Sequence, residues 1–194
     1  MQTIRLPATL TDGEIVLDGY TIDDVDAHLQ GEDDEMLRRF DSAQRATLEQ
    51  TRAAITRWID GRAAGGPMFA YAIRQSSRRL VGGCEIRLLS PDRANVSYWI
   101  YSGFRNRGYA TRALALLCES AAQIDGLRQL EAHIDADNAA SRRLAARAGF
   151  VEAGTVEDKS WAGVVSTRLR YVRRVIDPPA ATAPLEAHAH RRGG

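Results

Sequence analysis

The stretch Arg105-Asn106-Arg107-Gly108-Tyr109-Ala110 decides how this chain of 194 residues is interpreted. It lies between an aromatic, strand-like segment, residues 96–101, and an apolar segment with helical periodicity that begins near Thr111. A glycine in such a turn lets the backbone approach a ligand closely, and the first N–H groups of a helix lack partners inside the helix. Arginine guanidinium groups bind phosphate oxygens through paired donors. The stretch therefore predicts a phosphate-binding turn at a helix start.

A second informative stretch lies further along the chain. Residues 137–141 lead into a short helical segment that closes on glycine and phenylalanine. Together, the two stretches resemble the GCN5-related N-acetyltransferase (GNAT) superfamily, in the branch of the RimJ and RimL ribosomal-protein N-terminal acetyltransferases. The resemblance covers roughly Met68 to Arg173, and in the second stretch it rests on Asn138, Ser141, Gly149 and Phe150.

The resemblance implies a fold and a co-substrate. The expected fold is α/β, with a mixed, mostly antiparallel central sheet, helices on both faces and a splayed pair of parallel strands. The expected co-substrate is acetyl-coenzyme A. By position, the residues implied to bind it are Trp99, Ile100, Tyr101, Arg105, Asn106, Arg107, Gly108, Tyr109, Ala110, Thr111, Asn138 and Ser141.

Acetyl transfer from a thioester to an amine needs a neutral amine and a proton for the departing thiolate. The resemblance implies that Ser141 supplies that proton, although a serine in a first helical turn also serves as a cap. Ala145 stands where many relatives carry a tyrosine acid. The base is sought at Glu85, because relatives often have a glutamate where this chain has Asn95. Glu85 either points into the cleft or faces solvent.

The acidic run at residues 32–35 falls where the resembling family builds the substrate side of its cleft. We therefore expect Glu32, Asp34 and Phe40 to contact the acceptor, which favours a cationic amine. A protein N-terminus, a lysine side chain, a polyamine or an aminoglycoside all fit. The alternative is a solvated helix start, because acidic residues stabilise the first turn of a helix.

The periodicity predicts a first strand at residues 14–17, helices at 21–30, 32–40 and 46–62, and an antiparallel meander at 68–74, 80–89 and 95–101. A helix at 111–124, a strand at 129–134, a helix at 140–148 and two strands at 150–157 and 164–173 complete the order. We expect residues 1–176 to form one domain. Residues 177–194 are rich in proline and alanine and predict a disordered tail.

The composition narrows the classes of partner. With 26 basic and 25 acidic residues the net charge is +1, so no broad basic surface is expected. Nucleic-acid binding through the pairs Arg142-Arg143 and Arg173-Arg174 is therefore disfavoured. No apolar run approaches the roughly 20 residues that span a bilayer, which favours a cytoplasmic protein. Cys84 and Cys118 are expected to be core thiols, and no metal site is predicted.

The sequence therefore predicts an acetyl-coenzyme A-dependent N-acetyltransferase acting on a primary amine of a small molecule or a protein, as a monomer or homodimer. A hypothesis from another class is a coenzyme A-sensing or protein-interaction module without turnover, motivated by the missing tyrosine and glutamate. Acceptor identity, acyl-chain length and oligomeric state are left open by the sequence.

Overall fold

The computed structural model describes residues 6–159 and 163–175. Apart from the short first strand, the strands and helices in this part of the chain follow the predicted order. They are β1 (Leu10–Thr11), β2 (Ile15–Asp18), α1 (Val25–Gly31), α2 (Asp34–Arg39), α3 (Leu48–Ala63), β3 (Met68–Gln75), β4 (Leu80–Ser90), β5 (Arg93–Ile100), α4 (Tyr109–Ala121), β6 (Gln129–Ile134), α5 (Ala139–Arg147), β7 (Val151–Lys159) and β8 (Val165–Arg174).

The eight strands form one mixed sheet in the order β1-β2-β3-β4-β5-β6-β8-β7. Each neighbouring pair from β1 to β5 is antiparallel, as are β6 with β8 and β8 with β7. The predicted antiparallel meander of β3, β4 and β5 is confirmed. The expected fold class, a mostly antiparallel sheet with helices around it, is confirmed as well.

The parallel pair β5 and β6 separates after three residues. Arg93, Ala94 and Asn95 pair with residues 129–131, and no further pairs follow in these two strands. The Asn95 side chain lies at the point of separation, where its Nδ2 donates to the Glu131 carbonyl at 3.5 Å. Beyond it, β5 still pairs with β4 and β6 with β8, but the edges of β5 and β6 that face each other have no strand partner. Backbone groups on these two edges are available to a ligand. The predicted splay is confirmed.

Two apolar cores lie on opposite faces of the sheet. One packs α4 and α5 against the strands, through residues such as Leu114, Leu117 and Leu144. The other packs α1, α2 and α3, through Val25, Met36 and Ile55 among others. Successive side chains of a strand point to opposite faces, so β5 serves both cores at once.

The main differences from the predicted elements lie at their ends. Strand β1 was not predicted, because two residues carry no periodic pattern. Helix α4 begins at Tyr109, two residues before the predicted start. The first predicted helix divides into a 3-10 turn at Ile22–Asp24 and α1, with Thr21 as the N-cap.

Three further sequence predictions concern the cysteines, membrane spans and the C-terminal residues. Both cysteines are buried and free, as predicted. Within the described residues, no helix combines the length and apolar character needed to cross a bilayer. The predicted tail at residues 177–194 lies outside the described residues, and its disorder stays a prediction.

Candidate active site

A cavity of about 540 Å³ opens where β5 and β6 diverge. Its walls come from α2, β4, β5, β6, the starts of α4 and α5, and the β7–β8 hairpin. Most of the predicted site residues line it. These are Phe40, Glu85, Trp99, Ile100, Arg105, Asn106, Gly108, Tyr109, Ala110, Thr111, Asn138 and Ser141.

Gly108 forms the rim of this cavity at the start of α4. It is the N-cap residue, with a φ of 82° that side chains rarely tolerate. An added Cβ at Gly108 would meet no atom within 4 Å, so the space beside it is open. The first helical bond runs from Arg112 N to Gly108 O at 3.1 Å, which leaves the N–H groups of residues 109–111 without helical partners. An open, N–H-lined concavity of this kind fits a pyrophosphate.

The two arginines of the turn have different environments. Arg105 forms an ion pair with Asp33 at 2.7 Å, and its Nε donates to the Ile100 carbonyl at 3.0 Å. The Arg105 guanidinium thus links the turn to Asp33, the N-cap residue of α2. The sequence had instead suggested that this guanidinium binds phosphate. Arg107 is exposed, does not line the cavity, and lies 5.9 Å from the centre of the Phe104 ring. The backbone N–H groups at the start of α4 therefore face the cavity without a partner inside the helix, whereas the Arg105 guanidinium is already paired.

Two tyrosines that were expected to bind the cofactor use their hydroxyl groups in hydrogen bonds to other residues. The Tyr101 hydroxyl lies 2.8 Å from His28 Nδ1, inside the aromatic core under α1, and Tyr101 does not line the cavity. Tyr109 lines it, but its hydroxyl accepts a hydrogen bond from Gln75 Nε2 at 2.6 Å. Tyr101 therefore belongs to the packing beneath the site, and Tyr109 anchors the first turn of α4 to β3.

Ser141 lies in the first turn of α5, but it is not the cap of that helix. Asn138 is the N-cap, and its Oδ1 accepts the backbone N–H of Ser141 at 3.1 Å. The Ser141 hydroxyl instead lies 2.7 Å from the hydroxyl of Tyr98. Ser141 is thus held through its backbone by Asn138 and through its hydroxyl by Tyr98, and it lines the cavity.

Tyr98 is one of the cavity residues that sequence reasoning missed, together with His133, Asp158 and Arg168. Tyr98 lies on β5 within the aromatic segment and lines the cavity next to Ser141. The alternation of β5 does place Tyr98 on the opposite face from Trp99. The alternation does not predict which segment packs against Tyr98. Its partner Ser141 is 43 positions away in the sequence, so a local pattern contains no information about the contact.

Glu85 points into the cavity and is 6% exposed, so the solvent-facing interpretation is wrong. Its cross-strand partner is Ser97, which hydrogen-bonds it. Burial raises the pKa of Glu85 above its ordinary value, while the Arg87 charge and the Ser97 hydrogen bond oppose that rise. A carboxyl whose pKa is raised by burial is suited to accept a proton near neutral pH.

A network of charged side chains surrounds Glu85 on the same side of the cavity. His133 bridges two carboxylates, with Nδ1 3.3 Å from Asp158 and Nε2 3.1 Å from Glu131. Arg168 pairs with Asp158 at 3.3 Å and with Asp135 at 3.0 Å. Burial alone would raise the pKa of Asp158, but His133 and Arg168 hold it below its ordinary value. Asp158 is thus ionised at neutral pH, in contrast to Glu85, whose pKa is raised.

The acidic run contributes less to the cavity than expected. The Glu32 carboxylate accepts the Ala46 backbone N–H at 3.0 Å, and Asp34 is 95% exposed beside Arg45. Neither lines the cavity, whereas Phe40 does. Glu35 also lines it, although its carboxylate is paired with arginines of α2. Of the three predicted acceptor contacts, the structure brings only Phe40 to the site.

The cavity connects the two faces of the sheet. Glu85 and Ser97 share one face of β4 and β5, while Tyr98 shares the other with the buried Cys84. All of them except Cys84 line the cavity. A group placed between β5 and β6 would therefore meet the carboxyl from one side and the Tyr98–Ser141 hydroxyl pair from the other.

Comparison with known proteins identifies the family. The sequence model described as Acetyltransferase (GNAT) domain matches residues 14–151, most of the described chain. This chain belongs to the GNAT acetyltransferase family. The resemblance noted from the two motifs is thereby confirmed.

A curated relative of this GNAT domain is an uncharacterized N-acetyltransferase, YycN, of Bacillus subtilis (strain 168). The two are 39% identical over 62 residues, which is 32% of this chain and 39% of the relative. The chain thus matches well under half of that relative's length. The match therefore shows sequence similarity over a segment of 62 residues.

Solved structures extend the similarity to the whole fold. The RimL ribosomal L7/L12 alpha-N-protein acetyltransferase in complex with coenzyme A aligns over 88% of this GNAT chain and 97% of its own, with a TM-score of 0.72 at 20% identity. The microcin C7 self-immunity acetyltransferase MccE, in complex with acetyl-coenzyme A and AMP, aligns over 87% and 100%, with a TM-score of 0.72 at 16% identity. Coenzyme A-bound neighbours agree with acetyl-coenzyme A as the co-substrate.

Proposed function

We propose that this GNAT domain transfers an acetyl group from acetyl-coenzyme A to a primary amine, which is a protein N-terminus, a lysine side chain or a small cationic amine. The observation that carries the proposal is the single cavity that joins the Gly108 turn, the β5–β6 gap and Glu85. These parts are distant in sequence, yet each matches one requirement of thioester-to-amine transfer. They are anion binding, access for the acyl arm and proton removal.

The proposed cofactor contacts begin at the N-terminus of α4. Backbone N–H groups of residues 109–111 bind the pyrophosphate, with Gly108 leaving room for it and Asn106 and Thr111 at the rim. The edge of β5 that faces β6, at Trp99 and Ile100, binds the pantetheine arm by backbone hydrogen bonds. Asn138 contributes by holding the start of α5 beside the arm.

The acid and the base approach the reacting groups from opposite faces of the sheet. Glu85 removes the proton from the amine, since its raised pKa makes it a better acceptor than the paired Asp158. Ser141 gives a proton to the departing thiolate of coenzyme A. Asn95 takes no part in proton removal, because a carboxamide is not a base at neutral pH; its Nδ2 donates to the Glu131 carbonyl instead.

The acceptor is proposed to enter between α2 and the β7–β8 hairpin, past Phe40. Charged groups of both signs line this side, including Glu35, Arg39, Asp158 and Arg168. Their mutual ion pairs leave little excess negative charge, so the acceptor cannot be assigned from charge alone. The three acceptor classes therefore enter the test on an equal footing.

The test is a thiol-release assay with acetyl-coenzyme A against N-terminal peptides, lysine peptides, polyamines, aminoglycosides and amino acids. We expect amine-dependent release of coenzyme A and a product heavier by one acetyl group in mass spectrometry. Replacing Glu85 by Gln is expected to remove most of the release. Tight binding of acetyl-coenzyme A without release for any amine would reject transfer and favour the coenzyme A-sensing module.

A further inference from the structure

The hydrogen bond between the Tyr98 and Ser141 hydroxyls has two possible directions, and only donation from Tyr98 leaves the serine hydrogen free for a third group. The two oxygens are 2.7 Å apart, and either one is able to donate. Ser141 is held by two contacts, because its backbone N–H is bound to Asn138 while its hydroxyl meets Tyr98. The Ser141 oxygen is thus fixed at the cavity wall, and Tyr98 decides where its hydrogen points.

Acidity also separates the two hydroxyls. An alkyl hydroxyl is a far weaker acid than a thiol, so Ser141 cannot surrender its proton to a thiolate unless another group replaces it. A tyrosine hydroxyl has an ordinary pKa of about 10. Burial raises the pKa of Tyr98 above that value, but the phenol remains a stronger acid than an alkyl hydroxyl and lies closer to the thiol value of about 8.5. Tyrosine is therefore the better ultimate source of the proton that the leaving group takes up.

We propose that Tyr98 is the positioning residue of this pair: its hydroxyl donates to Ser141 Oγ, aims the serine hydrogen at the departing sulfur, and replaces the proton that Ser141 gives up. The proposal rests on the acetyl transfer proposed above. The tyrosine that α5 lacks at Ala145 is thus supplied from the neighbouring strand β5.

The step balances as a two-proton relay. The O–H bond of Ser141 breaks as an S–H bond forms on coenzyme A, and the O–H bond of Tyr98 breaks as a new O–H bond forms on Ser141. The tyrosinate then regains a proton from the solvent that enters the cavity. Burial raises the pKa of Tyr98, so its hydroxyl stays protonated at neutral pH and tyrosinate forms only transiently.

The Tyr98 hydroxyl also lies 3.5 Å from the backbone carbonyl of Ser141, a longer and weaker contact than the 2.7 Å to the Ser141 hydroxyl. The cross-strand neighbour of Tyr98, Cys84, is fully buried, and burial raises the pKa of that thiol well above its ordinary value. Cys118 of α4 is the other nearby titratable group, and burial raises its pKa too. Both thiols therefore stay neutral at physiological pH, so neither draws the Tyr98 proton away from Ser141.

The experiment compares Tyr98→Phe, Ser141→Ala and the double variant in single-turnover thiol release with saturating acetyl-coenzyme A. Each single variant is expected to lose on the order of 10²-fold in rate, with nearly unchanged KM for acetyl-coenzyme A. The double variant should be no slower than the slower single variant, because both residues serve one step. Tyr71→Phe is the matched control, since its buried hydroxyl binds the Pro7 carbonyl, away from the site.

Isotope measurements test the relay in the wild type without any substitution. Two protons in flight predict a curved dependence of the rate on the deuterium fraction of the solvent, and Tyr98→Phe should make it linear. A linear dependence in the wild type would overturn the proposal. So would full activity of Tyr98→Phe beside an impaired Ser141→Ala, which would leave Ser141 acting alone. A wild type that releases no thiol with any amine would overturn the proposed function, and this inference with it.

Discussion

Asn138 Oδ1 accepts the backbone N–H of Ser141 at 3.1 Å, so the cap of α5 belongs to Asn138. This hydrogen bond distinguishes between two roles of Ser141, helix cap and proton donor, that the sequence could not tell apart. A serine in a first helical turn can cap the helix or take part in catalysis, and here the capping position is occupied by Asn138. The Ser141 hydroxyl is used toward Tyr98 and the cavity.

Replacing Asn138 by Ala should therefore lower the free energy of unfolding by about 1 kcal/mol, because one helical N–H loses its partner. Asn138→Asp keeps an acceptor at the cap and should retain stability. Ser141→Ala should lower turnover while keeping the cap. Urea unfolding and thiol release on the same preparations measure both effects. Equal stability losses for Ser141→Ala and Asn138→Ala would contradict this assignment.

Gly108→Glu should abolish acetyl-coenzyme A binding in a calorimetric titration. The new side chain would extend into the open space beside the helix start, and its charge would repel the pyrophosphate. Gly108→Ala is the matched control, because it puts a side chain on the same left-handed backbone, with φ 82°, but adds only a Cβ that meets no atom within 4 Å and carries no charge. Wild-type affinity of Gly108→Glu would remove the pyrophosphate from this turn.

Glu85→Gln should make the protein more stable at neutral pH while lowering turnover. The folded-state pKa of Glu85 is raised by burial, so the unfolded chain releases its proton first as the pH rises. Stability is thus lost as the pH increases from the unfolded value near 4.5 to the raised folded value, and glutamine removes that loss. Unfolding midpoints from pH 4 to 8 and turnover measure the two effects. A less stable, fully active variant would refute the assignment.

The buried His28 should make the fold sensitive to mild acid. Burial lowers its pKa from 6.5 to about 4, so the imidazole is neutral in the folded protein. The unfolded state takes up its proton first, and up to about 3 kcal/mol of stability is lost as the pH falls from about 6.5 to about 4.

His28→Gln should flatten this part of the pH dependence, even if its absolute stability is lower because the contact with Tyr101 changes. Chemical unfolding at pH values between 4 and 7 gives the comparison. An unchanged slope in the variant would assign the acid sensitivity to other groups.

The element order and the cofactor turn were predictable because their signals are local. Periodicity over ten or so residues indicated the central strands, and the strand β6 was predicted with the bounds found in the structure, residues 129–134. Gly108 and Asn138 act through backbone geometry and caps, which depend on neighbours within a few positions. The family resemblance rested on the same short motifs.

Side-chain roles that depend on distant partners needed the tertiary structure. Arg105 was assigned to phosphate from its local charge, yet its guanidinium is bound by Asp33, 72 positions away. Glu32 and Asp34 looked available from their charge, but one is used by a backbone N–H and the other lies on the outer surface. Charge in a sequence does not show which partner neutralises it.

The sequence by itself determined the kind of protein: a GNAT sheet with a glycine turn for an anion and a serine at the start of a later helix. It determined these features because strands, caps and tight turns are specified by residues close together in the chain. Only the tertiary structure decided that Glu85 is buried and that Tyr98 meets Ser141. Burial and hydrogen-bond partnership are set by segments that come together across the β5–β6 gap, and no short stretch of sequence encodes that approach.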